Sequence, residues 1–137
     1  MSRLSCLALR SALRALFAQD AEFSAMAGAG RIHDDAPRNA ALPHIAFGET
    51  RWRDWSSATD KGGEEFLTLE IWSDYQGSRE ALELAERMAQ VIESASNIPA
   101  EGMRIVSLRV ESLDLRRENA GRLMRASLRL RAVTETT

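Results

Sequence analysis

Apolar and polar positions along the chain follow two periods, and the switches between them divide it into elements. Phe66, Thr68, Glu70 and Trp72 alternate with Leu67, Leu69, Ile71 and Ser73. This period of two predicts a strand with Leu67, Leu69 and Ile71 turned to a core. Its other face is mixed, as in a sheet that is partly covered or meets a partner. Asp74 to Gly77 break the pattern. Ala81, Leu82, Ala85, Met88, Ala89 and Ile92 then recur at helical spacing, with Leu84 and Val91 widening the stripe. Glu80, Glu83, Glu86, Arg87, Gln90 and Glu93 take the opposite side. Ser78 is the expected N-cap. Glu80 suits the positive end of the helix dipole, and Glu83 and Arg87 are spaced for an i,i+4 pair. A helix of about 17 residues here would run roughly 25 Å, enough to cross a small sheet.

The chain before this stretch begins with a helical pattern from Leu4 to Phe17. Leu9, Leu13, Leu16 and Phe17 form its apolar face, widened by Leu4, Ala8 and Ala12. Ser2 is a possible cap, and Arg3, Arg10 and Arg14 point elsewhere. The helix should end near Asp20, with Phe23 and Met26 docking a short continuation before Gly28 and Gly30. Arg31 and Ile32 suit a brief extended piece. Arg38 to Leu42 reads as a loop, and Pro43 opens a strand from His44 to Glu49 with Ile45 and Phe47 on one side. Residues from about 50 to 63 read as a long hairpin loop whose first half, through Trp52, can extend that strand.

After the long helix, Ala95 to Gly102 is a connection and Met103 to Leu115 a long strand. Val106, Leu108 and Val110 share one parity, Leu113 and Leu115 the other. A change of parity flips the buried face, which predicts a bulge near Glu111–Ser112. Arg116 to Gly121 is a turn. Leu123 to Val133 is the last strand, with Met124, Ala126, Leu128, Leu130 and Ala132 inside and Arg125, Ser127, Arg129 and Arg131 outside. The order α-β-β-α-β-β predicts an α+β fold. It would be one domain, 1–137, with a four-stranded, mainly antiparallel sheet and two helices packed on one face.

Composition changes this picture in few places. At 137 residues with 45% hydrophobic and 28% charged positions, the chain is an ordinary globular domain. A formal charge of −2 argues against general nucleic-acid binding by phosphate neutralisation. Lys61 is the only lysine, so the positive charge is arginine, which suits planar contacts between subunits. The apolar runs fall short of the ~18 residues of a membrane span. Arg10 and Arg14 interrupt any signal-like core near the start. A cytoplasmic, reduced location is the simplest expectation.

Candidate chemistry is sparse. Cys6 is the single cysteine, which excludes an intrachain disulfide and a cysteine-based zinc site; packing as a small apolar side chain is its expected role. His33, Asp34 and Asp35 form the most enzyme-like triplet, but neighbours on an extended chain alternate sides and rarely converge on one ion. His44 fits a structural place at a strand start. The sequence carries no phosphate loop, nucleophile elbow or HExxH helix, so neither catalytic residues, cofactor nor metal is expected. Trp52 and Trp55 are either tucked back or meet a partner. The Arg125, Arg129 and Arg131 row is either solvated or faces an acidic neighbour. With Arg116 and Arg117 of the last turn, these are the candidate interface residues.

Several phrases resemble the tail-completion or tail-terminator family of long-tailed phages, prophages and gene transfer agents. They are LRSALRALFAQD, RIHDDAPRNAALPHIAFGE, EEFLTLEIWSDYQGSREALELAERMAQVIE, and the closing pair RIVSLRVESLDLRREN and RLMRASLRLRAVTE. The resemblance covers nearly the whole chain and rests on packing patterns. It implies a structural virion protein at the head–tail junction, assembled in the host cytoplasm as a homohexameric ring. Such a ring caps the tail tube, ends its polymerisation and offers a joining surface to the head-side connector or stopper. Its partners would be itself, the major tail tube protein and that connector, with DNA passing through the lumen without specific binding and no membrane involved. The acidic balance is compatible with such a lumen.

Three other readings remain open: a neck or connector subunit of the same junction, a small ligand-binding or enzymatic domain, and a nucleic-acid adaptor. Tube binding, a bound ligand and salt-dependent DNA binding would respectively discriminate them.

Overall fold

The computed structural model describes residues 4–95 and 97–137. In chain order these form α1 (Cys6–Ala18), α2 (Ala21–Ala27), β1 (Ile32–His33), β2 (His44–Asp54), β3 (Gly62–Ser73), α3 (Arg79–Ser94), β4 (Met103–Glu118) and β5 (Leu123–Thr136). The strands make one mixed sheet in the order β1-β2-β3-β5-β4, with β1 parallel to β2 and the other pairs antiparallel. The fold is α+β, as expected, but with five strands and three helices instead of four and two.

The core forms where the alternation on β3 meets that on β5. Leu67, Leu69 and Ile71 stand opposite Leu130, Leu128 and Ala126, all essentially buried. The helices close this face with Leu9, Leu13 and Phe17 of α1 and with Ala81, Leu84, Ala85, Met88 and Ile92 of α3. Each fully buried leucine, isoleucine or phenylalanine contributes about 1.5–3 kcal/mol. Phe23 of α2 rests on Phe17, their ring centroids 5.5 Å apart.

The differences from expectation have local causes. The continuation through Phe23 and Met26 is a separate helix because the Asp20 carboxylate accepts the Phe23 N–H at 2.8 Å and caps a new N-terminus. β1, the expected extended piece displaced by one residue, is too short for periodicity to reveal. The loop placed at 50–63 is shorter, because β2 runs on to Asp54 and β3 begins at Gly62. β2 thus continues through Trp52, as its spacing allowed, and two residues further, where ion pairing of Arg53 with Glu64 at 2.7 Å holds the ladder. Leu16 is only partly buried and packs at the margin of the core, while Ala12 is buried. The expected Ser2 cap and Arg3 lie outside the described residues.

α3 also departs in its polar contacts. Ser78 occupies the N-cap position but forms no side-chain cap bond; its ψ of −7° puts it in a helical, not extended, conformation. Ser73 instead donates its hydroxyl to Glu80 at 2.7 Å and accepts the Tyr75 N–H. Glu83 pairs with Arg79 and not with Arg87. Arg87 reaches α2, donating to both Asp20 oxygens at 2.6 and 2.9 Å and lying 2.8 Å from Glu22.

The expected parity change on β4 occurs between Val110 and Ser112. A second shift, between Ile105 and Ser107, turns Val106 out of the core row and puts Ile105 against the core. Val106 was expected to share a face with Leu108 and Val110; it is half exposed instead.

Candidate interaction surfaces

Among the described residues the helices lie on one face of the sheet and leave the other to side chains alone. On this outer face β5 presents Arg125, Arg129 and Arg131 opposite Trp72, Thr68 and Phe66 of β3. The guanidinium groups lie over rings: Arg125 over Trp72 at 5.4 Å, Arg129 over Phe66 at 4.8 Å and Arg131 over Trp55 at 5.2 Å. Carboxylates complete the layer. Glu64 accepts Nε and Nη2 of Arg131 at 2.6 Å on one oxygen and Nε of Arg53 at 2.7 Å on the other. Arg125 lies 2.9 Å from Glu118 and 3.6 Å from Glu70, and Arg129 lies 3.5 Å from Glu111. The row read as solvated or facing an acidic neighbour is therefore engaged within the chain, on aromatic rings and four carboxylates. Burial raises the Glu64 pKa, but the hydrogen bonds and charges of Arg131 and Arg53 outweigh that and hold it below the usual range.

The two loop tryptophans part company. Trp52 belongs to β2 and faces the helices, opposite Glu65. Its indole lies over Gly63, where any Cβ would collide with it. Trp55 follows the end of β2 and remains 52% exposed beyond its contact with Arg131.

Beneath the start of α1 the helix-facing side holds a polar cluster. Glu65 is fully buried and accepts the Ser5 hydroxyl at 3.1 Å. Burial pushes its carboxyl above the usual range, against the opposing pull of Ser5, Cys6 and Arg10. The Cys6 thiol is raised by burial and by the neighbouring Glu65, which disfavours the thiolate a nucleophile requires.

His33, Asp34 and Asp35 do not converge. Asp34 lies 3.6 and 3.5 Å from Arg10 and Arg14, whose guanidiniums cover Phe47. His33 packs edge-on against His44 at 5.5 Å. His44 is buried, its Nδ1 3.3 Å from the Ala41 carbonyl oxygen, and burial lowers its pKa. Among the described residues no group of three or more histidine, cysteine or acidic side chains could hold a metal ion. A groove of about 430 Å³ between α1 and residues 99–103 is lined by Leu4, Leu7, Ala8, Ala100 and Met103, without a convergent set of titratable groups among the described residues.

The remaining candidate surface is the outer edge of the sheet. β4 is bonded only to β5, and its residues 111–117 are exposed. Arg116 and Arg117 make no ion pair among the described residues. Leu113 and Leu115 are 41% and 38% exposed on the helix-facing side, opposite buried Leu128 and Ala126. The periodicity placed both leucines on a strand but could not show that the helices stop short of them.

The profile of a known family describes the same chain. The family of tail completion protein gp17 matches residues 11–135. A chain in the virion of a native gene transfer agent particle has a similar fold: the TM-score is 0.86 at 21% identity, over 98% of this chain and 99% of that one. No curated protein matches. With a match over nearly its whole length, the chain belongs to the tail completion protein gp17 family, structural proteins of the phage tail and not enzymes.

Proposed function

We propose that copies of this chain form a ring, a hexamer by the family resemblance, on the head-proximal end of a tail tube. The ring ends tube polymerisation and presents the surface to which the head-side connector joins. The observation that carries this reading is the family match over residues 11–135. The fold is compatible with it. A capping subunit needs a rigid body with surfaces for neighbours, and a closed ring repeats one heterologous contact. Several modest contacts engaged together then hold the ring to the tube.

Among the interface candidates, Trp55, Arg116 and Arg117 are exposed and suit contact with another chain. Trp52, Arg125, Arg129 and Arg131 act on that surface indirectly, by fixing the hairpin and the outer face. Gold labelling of a tagged chain in purified particles tests the placement. Label confined to the junction of head and tail supports it, and label along the tube or on the head shell contradicts it. Tubes assembled without heads separate the two junction roles: a terminator binds their ends, whereas a connector subunit binds heads alone.

A further inference from the structure

The sheet has two dissimilar open edges, and we propose that they pair with each other between copies: β4 of one chain adds to the β1–β2 edge of the next. The inference deepens the ring reading and rests on it.

Strand direction is the first argument. β2, β3, β5 and β4 alternate up, down, up, down, so the edge strands β2 and β4 run in opposite directions. A rotation about an axis near the strand direction preserves each strand's sense. The next copy's β2 then meets β4 antiparallel, and the sheet continues without a break. β1, parallel to β2, meets β4 in the same sense. The contact is heterologous, so it does not stop at a dimer and closes a ring where its rotation divides a full turn.

The edges themselves are the second argument. β4 has 16 residues, an unpaired edge of roughly 50 Å at ~3.3 Å per residue. Edges of this length are normally covered or blunted. This one carries Val106, Leu113 and Leu115, each more than a third exposed. On the opposite side β1 covers only Ile45 and Ala46, leaving β2 open from Phe47 to Asp54.

Charge chooses the occupant. Arg109, Arg116 and Arg117 on β4 are exposed and make no ion pair among the described residues. Arg109 and Arg116 also face Arg131 and Arg125 across the ladder, whose neighbouring carboxylates Glu64 and Glu118 are already engaged, so an anion for the edge arginines must come from outside. At the opposite edge Glu49 and Asp35 are exposed and equally unpaired among the described residues, and the exposed Arg51 of β2 is matched in sign by the exposed Asp114 of β4. A second copy therefore brings carboxylates to the arginines and a helix layer to the bare leucines.

The test is cross-linking in particles. A chain carrying Cys6→Ser, Ser112→Cys and Glu49→Cys is treated with a bismaleimide shorter than the roughly 14 Å (three spacings of ~4.8 Å) between β2 and β4 of one chain. The expected result is a ladder of dimer, trimer and higher bands up to the full ring, with monomers from either single-cysteine chain. A dimer from Ser112→Cys alone would mean that β4 meets its own copy, and overturns the proposal. Label at the tail end without a ladder overturns the edge pairing and leaves the ring intact. A chain absent from the tail end overturns both. As a second variant, Arg109→Glu with Arg116→Glu should keep the isolated chain's melting temperature and lower particle yield at least tenfold. Adding Glu49→Arg and Asp35→Arg should restore it; an unaltered yield in the first variant contradicts the proposal.

Discussion

Replacing Arg131 with alanine removes the centre of the outer-face network. The guanidinium is 17% exposed and places both Nε and Nη2 on the Glu64 carboxylate, itself 5% exposed. Breaking a fully buried pair costs about 3–5 kcal/mol, because one charge is left without compensation. Arg53 still holds Glu64 afterwards, but it is largely exposed and weakly restrained. Loss of the Trp55 contact adds about 0.5–1 kcal/mol. The expected destabilisation is about 2–4 kcal/mol at neutral pH, read by urea unfolding of the isolated chain. Glu64→Gln in the Arg131→Ala background should recover about 1–2 kcal/mol, since no buried charge then remains. The sign with pH follows from the lowered pKa of Glu64. Its contribution is complete above the unfolded carboxyl value of about 4.3 and is lost as pH falls through the lower folded value, so wild type and variant converge in acid. An Arg131→Ala chain within about 0.5 kcal/mol of wild type, with additive effects of Glu64→Gln, would refute an intrachain role and return Arg131 to the partner surface.

Glu65→Gln should raise stability at neutral pH. A carboxyl with a raised folded pKa favours folding below its unfolded value and loses that contribution as pH rises through the folded one, so the variant's advantage in melting temperature should grow from about pH 4 to 7 and vanish in acid. An advantage independent of pH would contradict the assignment. Gly63→Ala forces the Trp52 indole off the hairpin and should cost about 1–3 kcal/mol with a changed tryptophan emission; unaltered emission would show that the ring is not packed there. Ala120, in the β4–β5 turn at φ +55°, occupies the left-handed region. Ala120→Gly should therefore gain about 0.5–1 kcal/mol in chemical denaturation, and a loss would show that the turn differs.

The parts legible in sequence were those where burial alone sets the pattern. Leu67, Leu69 and Ile71, the stripe from Ala81 to Ile92, and the parity flip at Glu111–Ser112 all record which side faces the core. The extension of β2 was legible as far as Trp52, which keeps the period of two; its last pair, Arg53 and Asp54, escaped because both are polar and Arg53 finds its partner, Glu64, on another strand. The fate of the arginine row escaped for a related reason. Arg129 and Phe66 are 63 positions apart in the sequence and meet only once the β3–β5 register is fixed. Trp52 looked available because nothing local marks Gly63 as the bare backbone beneath it. The exposed flank of β4 depends on how far the helix layer reaches across the sheet, which no local pattern encodes. The candidate interface residues were legible only as residue types; exposure then separates Trp55, Arg116 and Arg117 from the rest.

The central claim is that this chain finishes tails, and the lengths of tails made without it test that claim most directly. Negative-stain electron microscopy of a deletion strain's lysate should show overlong or headless tails beside filled, tailless heads, with both defects reversed by the intact chain. Joined particles of normal tail length would contradict the account.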